Sequence, residues 1–121
     1  MIAALIEEYL AQANAAERVD YGDMNSVRRF NAASNRMRAI VDEVVPLGPG
    51  AVSKLAVLLE REPAAVWAAH HLVEKAELDQ PTRDRCFARV MQARADAESR
   101  GDLPDAMGEA MWLNEWRSKF G

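Results

Sequence analysis

Residues 55–72, Leu-Ala-Val-Leu-Leu-Glu-Arg-Glu-Pro-Ala-Ala-Val-Trp-Ala-Ala-His-His-Leu, decide the fold of this chain. Leu55, Leu58 and Leu59 recur at helical spacing before Glu62 and Pro63. Beyond the proline, Ala65, Ala69, Leu72 and Val73 return at the same spacing. Pro63 suits the first position of a second helix, where its missing N–H is not needed. The stretch therefore predicts two short helices folded against each other, the leucines of the first meeting the small side chains of the second.

Similar punctuation extends outward in both directions. Ile2, Leu5, Ile6, Tyr9, Leu10 and Ala13 give a first helix one apolar stripe, with Glu7 and Glu8 on its other face. Asp20-Tyr21-Gly22-Asp23 predicts a turn in which Gly22 tolerates a positive φ and the aspartates bond nearby amides, with Asn25 or Ser26 capping helix two. That helix carries Val27, Phe30, Ser34, Met37, Val41 and Val44 as a seam, and stops at Pro46-Leu47-Gly48-Pro49-Gly50. Gln80-Pro81 starts a fifth helix that carries Cys86, Phe87, Val90, Met91 and Ala97. Gly101 closes it, and Asp102 caps a sixth helix with Pro104 in its first turn. No sustained alternation and no Asn-Gly or Asp-Gly hairpin turn competes. The expected fold is all-α: about six helices in stacked antiparallel hairpins, as one domain with an N-terminal helix and turn (1–24) and a hairpin region (25–121).

Composition narrows the function classes. The single cysteine, Cys86, cannot form an internal disulfide, and a small buried thiol in a reducing compartment is the expectation. The opening Met1-Ile2-Ala3-Ala4-Leu5-Ile6 lacks the positive start and long apolar core of a secretion signal, and no apolar run reaches the roughly 20 residues of a membrane span, so a cytoplasmic location is expected. The net charge of −4 is unevenly spread: residues 1–24 carry one Arg against five acids, and the following segments 25–47, 48–79, 80–101 and 102–121 carry +2, −2, +2 and −2. Neighbouring helices of opposite sign attract. No segment gathers the Lys and Arg density that phosphate neutralisation requires, which disfavours nucleic acid and favours a basic protein as partner.

The spacing Leu55-x2-Leu58-Leu59, Glu62-Pro63, Trp67-Ala68-Ala69-x2-Leu72, together with the ending Ala110-x2-Leu113-Asn114-Glu115-Trp116, resembles a small bacterial family of HEAT-like, all-helical domains of uncharacterised function. The resemblance covers roughly residues 25–117 and rests on packing residues. One departure stands out: Ala64-Ala65 occupy the positions where the usual repeat has a valine followed by an arginine, so the polar ladder of a long solenoid is missing. The resemblance implies a fold and transfers no activity.

His70-His71-Leu72-Val73-Glu74 is the one cluster of metal-ligand types. His70 and Glu74 are i,i+4 neighbours, but no third or fourth ligand is evident, so no metal site is assigned and His70, His71 and Glu74 stand only as candidate ligands. His71, one turn after Trp67, reads as stacking on a helix surface. Trp112 and Trp116 make the last helix aromatic, Trp116 suiting the core and Trp112 an interface. Asn31 and Asn35, i,i+4 on one face, are poor helix formers for which a hydrogen bond to a neighbouring element is the simplest account. Cys86 has no acid–base partner nearby. The expectation is a non-catalytic, cytoplasmic protein-binding module without cofactor, in its sharpest form an immunity-type antidote that masks a basic partner. Its candidate contact residues are Asp20, Tyr21, Asp23, Trp67, His71 and Trp112. The alternatives are a small metal-dependent enzyme using His70, His71 and Glu74, or a nucleic-acid-associated helical repeat. Apolar strips on the first or last helix leave room for a homo-oligomer.

Overall fold

A computed structural model describes residues 2–17 and 19–120. Among these residues there is no strand. The helices are α1 (Ile2–Ala16), α2 (Met24–Val44), α3 (Pro49–Ala56), α4 (Ala64–Lys75), α5 (Gln80–Ser99) and α6 (Leu103–Lys119). Short 3-10 segments, Val45–Leu47 and Val57–Glu60, extend the ends of α2 and α3. Sequential helices pack as hairpins, α1 on α2 and α5 on α6, with α3 and its 3-10 extension against α4; α4 also touches α1, α2 and α5.

The buried residues show why α4 is the centre. Ala64, Ala65, Ala68, Ala69 and Leu72 are each fully buried, and His71 and Val73 nearly so. Four alanines in two turns make this helix narrow enough for neighbours to close on most of its circumference. Leu55, Leu58 and Leu59, Tyr9 and Ala13 of α1, Met37, Ile40, Val41 and Val44 of α2, and Cys86 and Val90 of α5 share one hydrophobic core with it. The 55–72 hairpin is thus present as the sequence predicts, with Pro63 one position earlier than expected: it precedes α4 as the cap residue, after a cis Glu62–Pro63 peptide.

The charge alternation along the chain becomes cross-helix pairing. Arg36 of α2 holds Glu8 of α1 in a two-point ion pair, Lys75 of α4 reaches Asp42 of α2 at 2.8 Å, and Glu60 accepts from Arg89 (2.9 Å) and Arg85 (3.3 Å) of α5. Such exposed pairs each contribute little stability and act mainly to fix which helices lie side by side. The guanidinium of Arg36 holds the Glu8 carboxyl below its usual range through that hydrogen bond.

Several end signals differ from expectation. Helix α2 is capped by Asp23, whose carboxylate accepts from the Asn25 amide at 2.9 Å; Asn25 and Ser26 lie inside the helix, and the buried Ser26 hydroxyl accepts from the Asp20 amide at 2.7 Å. Gly22 has no positive φ. Its amide donates to Asp20 Oδ1 at 2.9 Å, a side-chain turn that removes the need for one. Helix α5 is capped by Asp79 ahead of Gln80-Pro81, accepting from Thr82 N–H at 2.9 Å. Met91 is about half exposed, off the face that buries Cys86, Phe87, Val90 and Ala97. Gly101 takes φ +76° and Asp102 caps α6, as the sequence predicts. The outer side of α6 carries Leu103, Met107 and Met111, all exposed. Asn31, Asn35 and Asn114 are exposed, and among the described residues their side chains make no hydrogen bond to another element.

Enlarging one of the α4 alanines is expected to force neighbouring helices apart. Ala68→Leu should lower unfolding free energy by about 1–3 kcal/mol in urea titrations, whereas Ala32→Leu on the exposed face of α2 should change it by less than about 0.5 kcal/mol. Equal effects would contradict the central placement of α4.

Candidate functional site

One strip of α4 escapes coverage. Trp67, His70, His71 and Glu74 follow i, i+3, i+4, i+7 spacing, and with Val66 they form the floor of an open cleft of about 390 Å³. Tyr21, Phe30 and Arg38 form its α2 side and Asp105 and Glu109 its α6 side. The turn built by Asp20 and Asp23 carries Tyr21, whose ring packs on Phe30 at 6.4 Å between centroids; Phe30 meets Trp67 at 5.8 Å, and Trp67 meets His71 at 6.1 Å. A continuous aromatic wall results.

His70 and His71 point to different partners. The His70 Nε2 lies 2.9 and 3.1 Å from the two Glu109 carboxylate oxygens, and since a carboxylate only accepts, the ring donates. Its Nδ1 is 3.9 Å from Glu74. Trp112 stacks edge-on against His70 at 4.3 Å and donates its indole N–H to Glu74 at 2.9 Å. Both carboxylates are thereby held in place while keeping unused lone pairs.

His71 contradicts the expectation of surface stacking. It is 3% exposed, and its Nδ1 lies 2.7 Å from the Tyr9 hydroxyl of α1. Desolvation disfavours the imidazolium and, with Arg38, His70 and Lys75 nearby, pushes its pKa down to about 4. Burial, reinforced by Glu74, raises the Tyr9 phenol well above its ordinary range, so the pair is neutral. The candidate ligands His70, His71 and Glu74 are each engaged with a different partner: His70 with Glu109, His71 with Tyr9 and Glu74 with Trp112. Among the described residues no three His, Cys, Asp or Glu side chains are placed to hold a metal ion. Cys86 is buried, and desolvation pushes its thiol up to about 12, which makes it a packing residue rather than a nucleophile.

Of the contact residues chosen from sequence, Tyr21, Trp67 and His71 share the cleft. Asp20 and Asp23 serve backbone amides beneath Tyr21, and Trp112 is half-buried behind the cleft, occupied with His70, Glu74, Phe87 and Trp116. The sequence reading missed Phe30, assigned to the core seam, and Tyr9, Arg38, Asp105 and Glu109. No local pattern marks Glu109, which meets His70 across 39 residues. A larger hollow of about 770 Å³ lies beside Asn14, Ala15, Glu17, Glu62 and Pro63, but it has no aromatic ring and no buried polar group to orient a guest.

No family model matches the chain, and neither does any curated protein or solved structure. Among the described residues, no helix is long and apolar enough to cross a membrane. The chemistry of the cleft has to carry the functional reading.

The neutral Tyr9–His71 pair makes stability depend on pH. The unfolded imidazole titrates near 6.5 and the folded one near 4, so between these values the unfolded chain binds a proton that the folded chain refuses. Stability is full above about pH 6.5 and falls as pH drops, by about 2 kcal/mol at pH 5. Glu8 and Asp79, whose carboxyls are lowered by hydrogen bonds from Arg36 and Thr82, add their own loss only at lower pH. Urea midpoints should decline from pH 7 to 5 in the native chain and markedly less in His71→Phe; parallel declines would show that His71 is not the group responsible.

Proposed function

We propose that this protein is a non-catalytic protein-binding module that receives its partner in the cleft between α2, α4 and α6. The observation that carries the reading is the aromatic wall of Tyr21, Phe30 and Trp67 standing beside the fixed carboxylates of Glu74 and Glu109. Aromatic rings supply large contact area at small entropic cost, and they dominate the energetics of interfaces. Tyr21 is 75% exposed on a turn held rigid by two aspartate side chains, so it is available to a partner without rearrangement.

The residues nearest the cleft suit binding better than catalysis. His71 is neutral and engaged with Tyr9, the Cys86 thiol is buried and protonated, and each carboxylate is already anchored by a donor. With a net charge of −4, long-range attraction favours a basic partner and raises its rate of encounter. In its sharpest form the reading is that of an immunity-type antidote: a small acidic helical protein that masks the basic surface of a toxin or nuclease produced in the same cell.

Co-expression with the products of neighbouring genes, followed by hydrogen-exchange footprinting of any stable complex, tests the reading. Protection is expected around Tyr21–Phe30, in α4 and in the first half of α6. Tyr21→Ala should weaken the complex about tenfold or more with the melting temperature unchanged. A complex whose footprint lies elsewhere, or neighbours that all elute separately from the protein, would refute it.

A further inference from the structure

The cleft has two chemically opposite walls. On the floor, toward Arg38 of the α2 side, is His71. The Tyr9 phenol is neutral and has no acceptor other than His71 Nδ1 among the described residues, so its O–H donates there and the imidazole proton sits on Nε2. That N–H has no hydrogen-bond partner among the described residues. Every fully buried side-chain nitrogen or oxygen among the described residues is satisfied, so an unpartnered Nε2 keeps some exposed surface, and the cleft is an opening that His71 lines. A nearly buried donor without an acceptor is costly, and it is an attachment point for a guest oxygen. Arg38 lines the same side and makes no ion pair among the described residues.

On the α6 side the demand is reversed. Glu74 is fixed by the Trp112 indole and Glu109 by His70, and both retain acceptor capacity. Between the two sides lies the ring of Trp67, with Phe30 of the α2 side 5.8 Å from it. A guest that satisfies both sides carries a carbonyl oxygen for the donors and a flat cation for the carboxylates and rings.

Resting on the protein-binding reading above, we propose that the cleft takes an arginine residue of a partner polypeptide. A main-chain carbonyl of the arginine segment accepts from His71 Nε2–H, and the guanidinium lies against Trp67 and pairs with Glu74 and Glu109. Arginine is preferred to lysine because its planar fork matches a carboxylate at two points while lying flat on an aromatic face, whereas an ammonium is a point charge that offers no such fork. A free small cation lacks the carbonyl that the donor wall requires. A volume of about 390 Å³ is at the lower end for binding pockets and suits one inserted side chain.

The test uses the full chain and the blocked peptide acetyl-Ala-Arg-Ala-amide, followed by NMR at the His71 Nε2–H and the Trp67 indole N–H. Saturable shifts at both signals are expected, with a dissociation constant on the order of millimolar for a single residue. Replacing arginine by citrulline, which keeps the shape and removes the charge, should weaken binding about tenfold or more, and lysine should also bind less tightly. Met111→Ala on the exposed side of α6 should leave the preference for arginine over citrulline unchanged, whereas Glu109→Gln, which keeps the side-chain shape, should abolish it.

Equal binding of the citrulline peptide, absence of saturation, or shifts confined to residues outside the cleft would overturn the proposal. So would guanidinium ion alone shifting both signals at the same concentrations, which would mark a site for free cations. A partner that covers the cleft yet keeps its affinity when its interfacial arginines are replaced overturns the arginine assignment and leaves the protein-binding reading standing. A partner footprint away from the cleft removes both.

Discussion

A helix surrounded by neighbours must be thin, and the alanines of α4 meet that condition. Ala64, Ala65, Ala68 and Ala69 place the α4 axis close enough for α1, α2, α3 and α5 to touch it, and the larger residues of those helices fill the space that the small side chains leave. Exposed ion pairs between helices then select neighbours without supplying much of the stability. Among the described residues, the Tyr9–His71 hydrogen bond is a buried side-chain contact that ties the first helix to the centre while both groups stay uncharged.

The cleft is the remainder of this packing. Where alanines face outward from α4, another helix closes over them; where Trp67, His70 and Glu74 do, none fits, and the neighbours α2 and α6 stand apart as walls. The site therefore combines a floor held by the core with a rim that carries charge. Its polar groups have settled geometry before any guest arrives, because each carboxylate is anchored by a ring N–H.

Much of the architecture is legible in the chain. Proline, glycine and aspartate punctuation marks the helices, and the leucine and alanine spacing of 55–72 marks the central hairpin, because these signals act within one or two turns. Cap positions were displaced by one to three residues at Asp23 and Asp79, where an aspartate upstream of the expected cap reaches the first-turn amides. Met91 sits outward because α5 spends its buried arc on Cys86, Phe87 and Val90. The site is less legible. Tyr21, Trp67 and His71 are conspicuous residue types, but Tyr9 lies 62 residues from His71 and Glu109 lies 39 from His70, and no local periodicity encodes either meeting.

That spread in sequence has a kinetic side. The residues lining the cleft run from Tyr21 to Glu109, so no early fragment emerging from the ribosome contains it, and its walls come together only after the long-range closures that bring α1 and α6 onto α4. A nascent or truncated chain that ends before α6 contains the residues of the central hairpin and lacks the cleft. Engagement through this cleft would then also report that synthesis has passed α6 and that the helices around α4 have docked.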